Sequence, residues 1–248
     1  MRRATTILAV VAGLLLLWQG ALLVFKIPPY ILPSPGAVAM AFVTGRATLA
    51  ARAAFTLWSA FLGLVVSCSL AIGLAIAFVT YKTVARASMP LVLVFRSAPV
   101  TAVAPLIMLF VGRGLATSVV VVVIVSFFPI MVNMIRGLQS ADRCALEMLH
   151  VCGASRWQHI RYVQAPYSLP FLFTGLRIAA ANSVLGAMLS EWVTGSPGLG
   201  LLILESGVMR DIEVMWAAVL TAVVFALAVF ALTSAAEKTV LHWKGETA

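Results

Sequence analysis

The stretch Ser140–Pro170 reads SADRCALEMLHVCGASRWQHIRYVQAPYSLP and is a polar, basic segment set between long apolar runs. Connections longer than about 15 residues are uncommon in compact domains and usually have a function. This segment is longer than that, and its apolar residues recur at helical spacing. We therefore expect a helical element that contacts another protein.

The composition of the chain identifies its solvent. Hydrophobic residues make up 62% and charged residues 10% of the 248 residues, and the mean hydropathy is +1.08. A soluble domain is roughly half apolar and one quarter charged. A spanning helix needs about 20 mainly apolar residues, so the sequence predicts an all-α, polytopic membrane helix bundle with no sizeable soluble domain.

The apolar runs predict about six transmembrane helices. We place them at about Ile7–Phe25, Phe55–Val79, Met89–Val111, Leu115–Met134, Phe171–Leu189 and Val214–Ala235. The third run is interrupted by Pro90, Pro99, Pro105 and Arg96. Proline removes a helical hydrogen bond, so this helix is expected to be kinked or partly unwound.

The distribution of Lys and Arg predicts the orientation. Ten flank the spans on the side of the N-terminus: Arg2, Arg3, Lys82, Arg86, Arg136, Arg143, Arg156, Arg161, Lys238 and Lys244. Five lie on the other side: Lys26, Arg46, Arg52, Arg113 and Arg210. Because cytoplasmic segments carry the excess of these residues, both termini and the 140–170 loop are expected in the cytoplasm.

The net charge of +9 is explained by this topology, since basic residues favour anionic headgroups. No basic patch with interleaved aromatic residues indicates nucleic-acid binding. The bilayer is therefore the expected partner of the basic residues.

Four segments follow from the spans and their orientation. Residues 1–30 form an N-terminal transmembrane helix, 31–54 an extracytoplasmic linker, 55–236 the core with its 140–170 loop, and 237–248 a cytoplasmic tail. Pro28, Pro29, Pro33 and Pro35 are expected to keep the stretch 26–36 extended, and Ala37–Ala54 is weakly amphipathic. Arg2 and Arg3 before an apolar run also fit a signal peptide. The run is long enough to span, which favours the helix.

The first half of the loop is patterned as a helix. Leu146, Leu149 and His150 fall at i, i+3 and i+4, which predicts a helix from about Asp142 to Cys152 with an apolar stripe for another surface to cover. Gly153 is expected to end it, since glycine is the usual residue just past a helix C-terminus.

The second half begins with a capping-box pattern. Ser155 and Gln158 form S-x-x-Q, which predicts a second short helix that carries Trp157 and is bounded by Pro166 and Pro170. Two short helices around a glycine turn make a rigid elbow on the membrane surface. The alternative is that the loop packs on its own bundle.

Cys144, His150, Cys152 and His159 fall within sixteen residues of one another. Their spacing matches no familiar zinc site, and the residues between them are patterned as helix. Reduced thiols and no metal are the favoured interpretation.

The loop resembles the EAA motif of type I ATP-binding-cassette importer permeases, in which Glu-Ala-Ala is followed by a glycine and then by Ile-x-Leu-Pro. Glu147, Gly153, Val163 and Pro166 occupy the motif positions, whereas Met148 and Leu149 replace the alanines and Ala165 replaces the leucine. The resemblance implies contact with an ATPase through Glu147, Met148, Leu149, Gly153, Ala154, Trp157 and Pro166.

Further segments resemble the branch of this family that imports nitrate, sulfonates, taurine, bicarbonate and some vitamin precursors. They are LPSP at Leu32–Pro35, APLIMLFVGRG at Ala104–Gly114, SFFPI at Ser126–Ile130, LPFLFTGLR at Leu169–Arg177 and GLG at Gly198–Gly200. Together they cover roughly Leu32 to Ala235.

The resemblance implies a division of labour in the bacterial inner membrane. The chain has no GxxxxGK[ST] phosphate loop, so it is expected to be a translocating subunit without enzymatic activity or a cofactor of its own. ATP and Mg are expected on a partner. The implied partners are a second permease copy in a homodimer, two cytoplasmic ATPase subunits and an extracytoplasmic solute-binding protein.

Polar residues within the spans are the candidates for the substrate path. They are Arg96, Thr101, Ser126, Asn133, Asn182 and Glu191. Arg96 suits an anionic substrate, or else reaches the interface or a carbonyl. Asn133 and Asn182 also suit hydrogen bonds between helices. Glu191 is equally suited to contact Arg210, the binding protein or the substrate.

Two other classes of function remain open. A secondary transporter or channel would need inverted repeats or paired intramembrane acids, and the first five predicted spans have no Asp or Glu in their apolar cores. A membrane enzyme would need a nucleophile, base or metal cluster. The permease sequence leaves the substrate undetermined.

Overall fold

The computed structural model describes residues 2–81, 83 and 99–242, and these form an all-helical bundle. Its helices are α1 (Arg2–Phe25), α2 (Pro35–Thr44), α3 (Arg46–Thr80), α4 (Val100–Val111), α5 (Leu115–Gln139), α6 (Arg143–Val151), α7 (Arg156–His159), α8 (Ala165–Thr194), α9 (Leu199–Met209) and α10 (Ile212–Val240). A π-helical turn, Ile160–Gln164, joins α7 to α8.

Among the residues that the structure describes, four helical segments are long and apolar enough to cross a membrane: α3, α5, the continuous segment Arg156–Thr194 and α10. α1 runs through the predicted first span, whereas the apolar helices α2, α4 and α9 are shorter. The all-α membrane bundle is therefore confirmed. Residues 89–98 of the predicted third span lie outside the described residues, and the rest of it is seen as α4, with Pro105 inside the helix.

The predicted linker at 31–54 is largely helical. The Ser34 hydroxyl accepts a hydrogen bond from the Ala37 N–H at 3.2 Å, and Pro35 occupies the first turn of α2. A serine N-cap followed by proline is a strong helix start, because proline lacks a donor where none is needed. α3 then begins at Arg46, nine residues before the predicted span.

The second loop helix also continues further than expected. Pro166 and Pro170 do not end it, and the chain stays helical from Arg156 to Thr194. In the π-helical turn the Ala165 N–H bonds to the Ile160 carbonyl, so the hydrogen-bond ladder shifts before Pro166. A π-turn of this kind lets a helix absorb a proline.

Small residues let α5 pack closely between α3 and α8. Ser59 and Gly63 on α3 are buried, as are Gly175 and Ala179 on α8. A Cβ on Gly175 would lie 2.9 Å from the Pro129 carbonyl oxygen of α5. Close approach of this kind is how helices associate in lipid, where van der Waals packing replaces the hydrophobic effect.

The close crossing at Gly175 predicts a measurable loss of stability. Gly175→Ala should lower stability by about 1–3 kcal/mol, the usual cost of overpacking, because α5 backbone would have to move. The midpoint of thermal unfolding in detergent, followed by tryptophan fluorescence, measures this.

The matched control is Gly73→Ala on α3, where a Cβ meets nothing within 4 Å. Its midpoint should stay level or rise, since alanine is the better helix former. Equal midpoints for the two variants would contradict the packing argument.

Candidate functional site

The loop between α5 and α8 folds as the elbow that the sequence predicts, with α6 as its first arm. The Asp142 carboxylate accepts hydrogen bonds from the backbone N–H groups of Cys144 and Ala145, both at 3.3 Å. An aspartate N-cap of this kind satisfies donors that the first turn leaves free. The bounds Arg143–Val151 match the predicted helix closely.

Gly153 makes the turn of the elbow. Its φ is +72°, its N–H donates to the His150 carbonyl at 3.0 Å, and the Ala154 N–H reaches back to Leu149 at 3.0 Å. These two bonds form a Schellman motif, which pairs the last carbonyls of α6. Only glycine adopts this φ without strain, so the residue fixes the angle between the arms.

The capping box at the start of the second arm is confirmed. The Gln158 side-chain oxygen accepts from the Ser155 N–H at 2.6 Å, and the Ser155 hydroxyl accepts from the Gln158 N–H at 3.4 Å. Both donors at the start of α7 are thus paired. The arm then runs through the π-helical turn into α8 without a break.

The stem of the elbow is attached to the bundle. Ile160 and Val163 are buried, and the Gln164 amide donates to the Leu138 carbonyl of α5 at 3.2 Å. A Cβ on Gly137 would lie 2.8 Å from the Ser168 Cα, so α5 and α8 cross closely at the same level. The elbow is therefore a rigid extension of two packed helices.

The outward face of the elbow is apolar. Met148, Val151 and Trp157 are 66%, 87% and 60% exposed. The leucines of the predicted stripe do not belong to this outward face, because Leu146 and Leu149 are half-buried by the chain itself. Several large apolar side chains on a rigid, exposed element indicate a contact surface.

A cavity of about 630 Å³ lies between the elbow and the end of α3. Glu147, Ala154 and Gln164 are among its lining residues, with Thr80 on the α3 side. The His150 and His159 rings approach each other, with centroids 6.4 Å apart. Within the described ranges no group of three His, Cys, Asp or Glu residues is placed to hold a metal, and both loop cysteines are free thiols.

The candidate path residues that the structure describes differ in burial and in their hydrogen-bond partners. Arg96 lies outside the described residues, and Thr101 is exposed on α4. The Ser126 hydroxyl is buried and donates to the Ala179 carbonyl of α8 at 3.4 Å. The Asn133 amide donates to the Pro129 carbonyl of its own helix at 2.8 Å, in place of the bond between helices. Asn182 is half-buried on α8.

Glu191 lies at the other end of α8 and is fully buried. Its Oε2 accepts hydrogen bonds from the Thr56 hydroxyl at 3.0 Å and from the Gly200 N–H at 2.9 Å. No ion pair with Arg210 occurs in the part of the chain that the structure describes, so the suggested Arg210 contact is replaced by this buried one. The only local sequence signal for this contact is the Gly-Leu-Gly motif at 198–200, which includes the Gly200 donor.

Two ion pairs are further contacts that the sequence patterns do not indicate. Arg52 of α3 pairs with Glu205 of α9 at 3.0 Å, and Arg177 of α8 pairs with Glu237 of α10 at 3.2 Å. Glu237 lies beyond the predicted end of the last span. The longer α10 brings it to Arg177.

Comparison with known proteins places the fold and this loop in a family. Residues 69–242 match the family described as the binding-protein-dependent transport system inner membrane component. The riboflavin transport system permease protein of Chloroflexus aurantiacus is 34% identical over 233 residues, 93% of this chain and 87% of the relative. The taurine transport system permease protein of Escherichia coli is 25% identical over 252 residues, with coverage of 99% and 92%.

A solved structure of an amino acid ABC transporter with histidines shares the fold, with a TM-score of 0.66 over 81% of this chain and 97% of that one, at 18% identity. The family match covers more than half of the chain, and it includes the whole elbow. The chain therefore belongs to the family of binding-protein-dependent transport system inner membrane components and is the multi-pass transmembrane subunit of an ATP-binding-cassette importer for small solutes.

Proposed function

We propose that two copies of this chain form the translocation pathway of an importer, that two cytoplasmic ATPase subunits bind and hydrolyse ATP with Mg, and that each ATPase contacts one elbow. An external binding protein delivers the solute to the opposite face. The observation that carries the proposal is the rigid elbow, whose exposed apolar side chains Met148, Val151 and Trp157 need a partner surface.

The elbow is built to transmit displacement. The helical segment Arg156–Thr194 has 39 residues, so at about 1.5 Å per residue it is roughly 58 Å long. The hydrocarbon core of a bilayer is about 30 Å thick. One continuous helix therefore joins the exposed elbow to Glu191, and a push at the elbow moves its far end.

Strain at Gly153 should weaken the ATPase contact. Gly153→Ala places a side chain at φ +72°, which costs about 1–2 kcal/mol for an L-residue, so the elbow should change its angle. We expect the amount of ATPase that copurifies with the permease to fall several-fold. Quantitative gel densitometry of the purified complex measures the ratio.

Gly195→Ala is the matched control. Gly195 has φ +69° and equally open space, and it follows the far end of the helical segment Arg156–Thr194, which Gly153 precedes. The variant should retain the ATPase. Trp157→Ala tests the contact surface without strain, since the side chain is 60% exposed. The proposed contact is refuted if both elbow variants keep the wild-type ratio.

The native cysteines test the orientation. Cys144 and Cys152 are exposed on the elbow, whereas Cys68 is half-buried in α3. A membrane-impermeant maleimide should label the elbow thiols in inverted vesicles and leave them unlabelled in intact spheroplasts, because the proposed orientation puts the loop in the cytoplasm.

The control for the labelling is the double variant Cys144→Ser, Cys152→Ser, which should abolish the signal and so assign it to the elbow. Labelling of the elbow thiols in intact spheroplasts would contradict the proposed orientation and place the loop on the opposite side of the membrane. The native chain is otherwise unchanged in this experiment, so the result reports its own topology.

For the cargo, we propose a small organic solute of the aromatic nitrogen-heterocycle class. Support comes from the relative named for riboflavin, which is 34% identical over 93% of the chain, against 25% for the relative named for taurine. A sulfonate such as taurine is the second candidate, since a basic residue such as Arg96 in the path would suit an anion.

ATP hydrolysis by the reconstituted complex separates the two cargoes. Binding protein loaded with riboflavin should stimulate hydrolysis and uptake of the labelled solute, whereas binding protein offered taurine should leave the basal rate. The reverse pattern selects the sulfonate class. Uptake by the purified chain alone, driven by an ion gradient, would instead support a secondary transporter.

A further inference from the structure

The helix α9 starts inside the bundle and runs outward. Leu199 at its start is fully buried, whereas Met209 at its end is 79% exposed. The Leu199 N–H bonds to Thr56 of α3, and Glu205 pairs with Arg52, one turn nearer the start of α3. α9 therefore lies antiparallel to the beginning of α3, with its N-terminus in the interior.

A buried helix N-terminus has backbone N–H groups that need acceptors. The N-cap residue Gly198 has no side chain to supply one. The Thr56 hydroxyl oxygen accepts from the Leu199 N–H at 2.9 Å, and the Glu191 carboxylate accepts from the Gly200 N–H at 2.9 Å. Two other helices, α3 and α8, thus cap α9.

Thr56 and Glu191 act as one unit. The Thr56 hydroxyl donates to the Glu191 Oε2 at 3.0 Å while its oxygen accepts from α9. Both side chains are buried, at 1% and 0% exposure. Hydrogen bonds in such low-dielectric surroundings are stronger than in water, so the three helices are held at one point.

The glycines beside the cap give it room. A Cβ on Gly198 would overlap the Glu191 carboxylate, and one on Gly200 would overlap the Met188 carbonyl oxygen. The Gly-Leu-Gly sequence therefore allows the start of α9 to lie directly against the end of α8. This contact explains the motif by close approach rather than by turn geometry.

We propose that Glu191 and Thr56 are positioning residues that fix α9 to α8 and α3, so that the outer face keeps the shape that the external binding protein requires. This inference rests on the proposed function. α8 continues into the elbow at its other end, so the cap makes α9 follow the helix that the ATPase displaces. The exposed turn at Met209–Asp211 is carried with it.

The experiment uses the complete complex in lipid nanodiscs, with the binding protein that stimulates the wild-type complex. Thr56→Val removes the hydroxyl, and Thr56→Ser keeps it. For Thr56→Val, the binding-protein concentration that gives half-maximal ATPase stimulation should rise roughly fivefold to tenfold, the effect of losing a helix cap. The basal ATPase rate and the ATPase-to-permease ratio should not change.

Conservative variants separate positioning from general packing. Thr56→Ser should need the same binding-protein concentration as wild type for half-maximal ATPase stimulation. Ser59→Ala is the control, since Ser59 is equally buried one turn further along α3 and donates only to the Thr56 carbonyl at 2.9 Å. Amide hydrogen exchange in residues 199–209 should speed up in Thr56→Val and stay unchanged in Ser59→Ala.

Glu191→Gln keeps an oxygen for the Gly200 N–H. It should therefore raise the half-maximal binding-protein concentration less than Glu191→Leu does. If Glu191→Leu fails to assemble, the Thr56 series decides. The inference is overturned if Thr56→Val has the wild-type half-maximal binding-protein concentration, or if Ser59→Ala raises that concentration as much as Thr56→Val does. A wild-type complex that copurifies no ATPase, or ignores the binding protein, contradicts the proposed function instead.

Discussion

Every backbone N–H and C=O within the bilayer has to find its partner inside the protein, and this constraint shapes the chain at each departure from a straight helix. Hydrocarbon offers no competing hydrogen bonds, so an unpaired group there costs several kcal/mol. The ladder shifts by one residue before Pro166, and Ala165 donates to Ile160. At α9, the donors of Leu199 and Gly200 are paired by side chains from other helices.

The same constraint explains why the two ends of α8 differ. The elbow lies at the end of the span, where Gly153 can pair the last carbonyls of α6 with local backbone donors. The other end is buried, and the turn at Gly195–Gly198 leaves no local side chain to cap α9. A carboxylate from α8 supplies the acceptor there. Glu191 is thus a structural consequence of starting a helix in the interior.

The features that could be predicted from sequence are the local ones. The Ser155–Gln158 capping box and the turn at Gly153 involve residues within a few positions of each other, so their pattern is visible in one stretch. Composition and apolar run length likewise indicated the membrane bundle. The resemblance of the loop to a known motif gave the family, and the family match confirmed it.

The features that could not be predicted join distant parts of the chain. Thr56 and Glu191 are 135 positions apart, and nothing in either local sequence indicates the other. Arg177 reaches Glu237 only because α10 continues past Ala235, where the polar residues suggested a tail. Pro166 and Pro170 predicted a break in the helix. This prediction was wrong because the π-helical turn that accommodates Pro166 has no sequence signature of its own.

The two residues that replace the alanines of the motif differ in their physical consequences. Met148 is 66% exposed, so its flexible thioether side chain is available to a partner surface, and methionine adapts well to irregular grooves. Leu149 is half-buried and supplies the carbonyl that accepts from Ala154 in the Gly153 turn. One replacement therefore enlarges the contact face, whereas the other packs against the elbow's own chain. In the proposed complex, Met148 lies on the face that the ATPase contacts, whereas the angle of the elbow depends on backbone bonds of the Gly153 turn, which any residue at position 149 supplies.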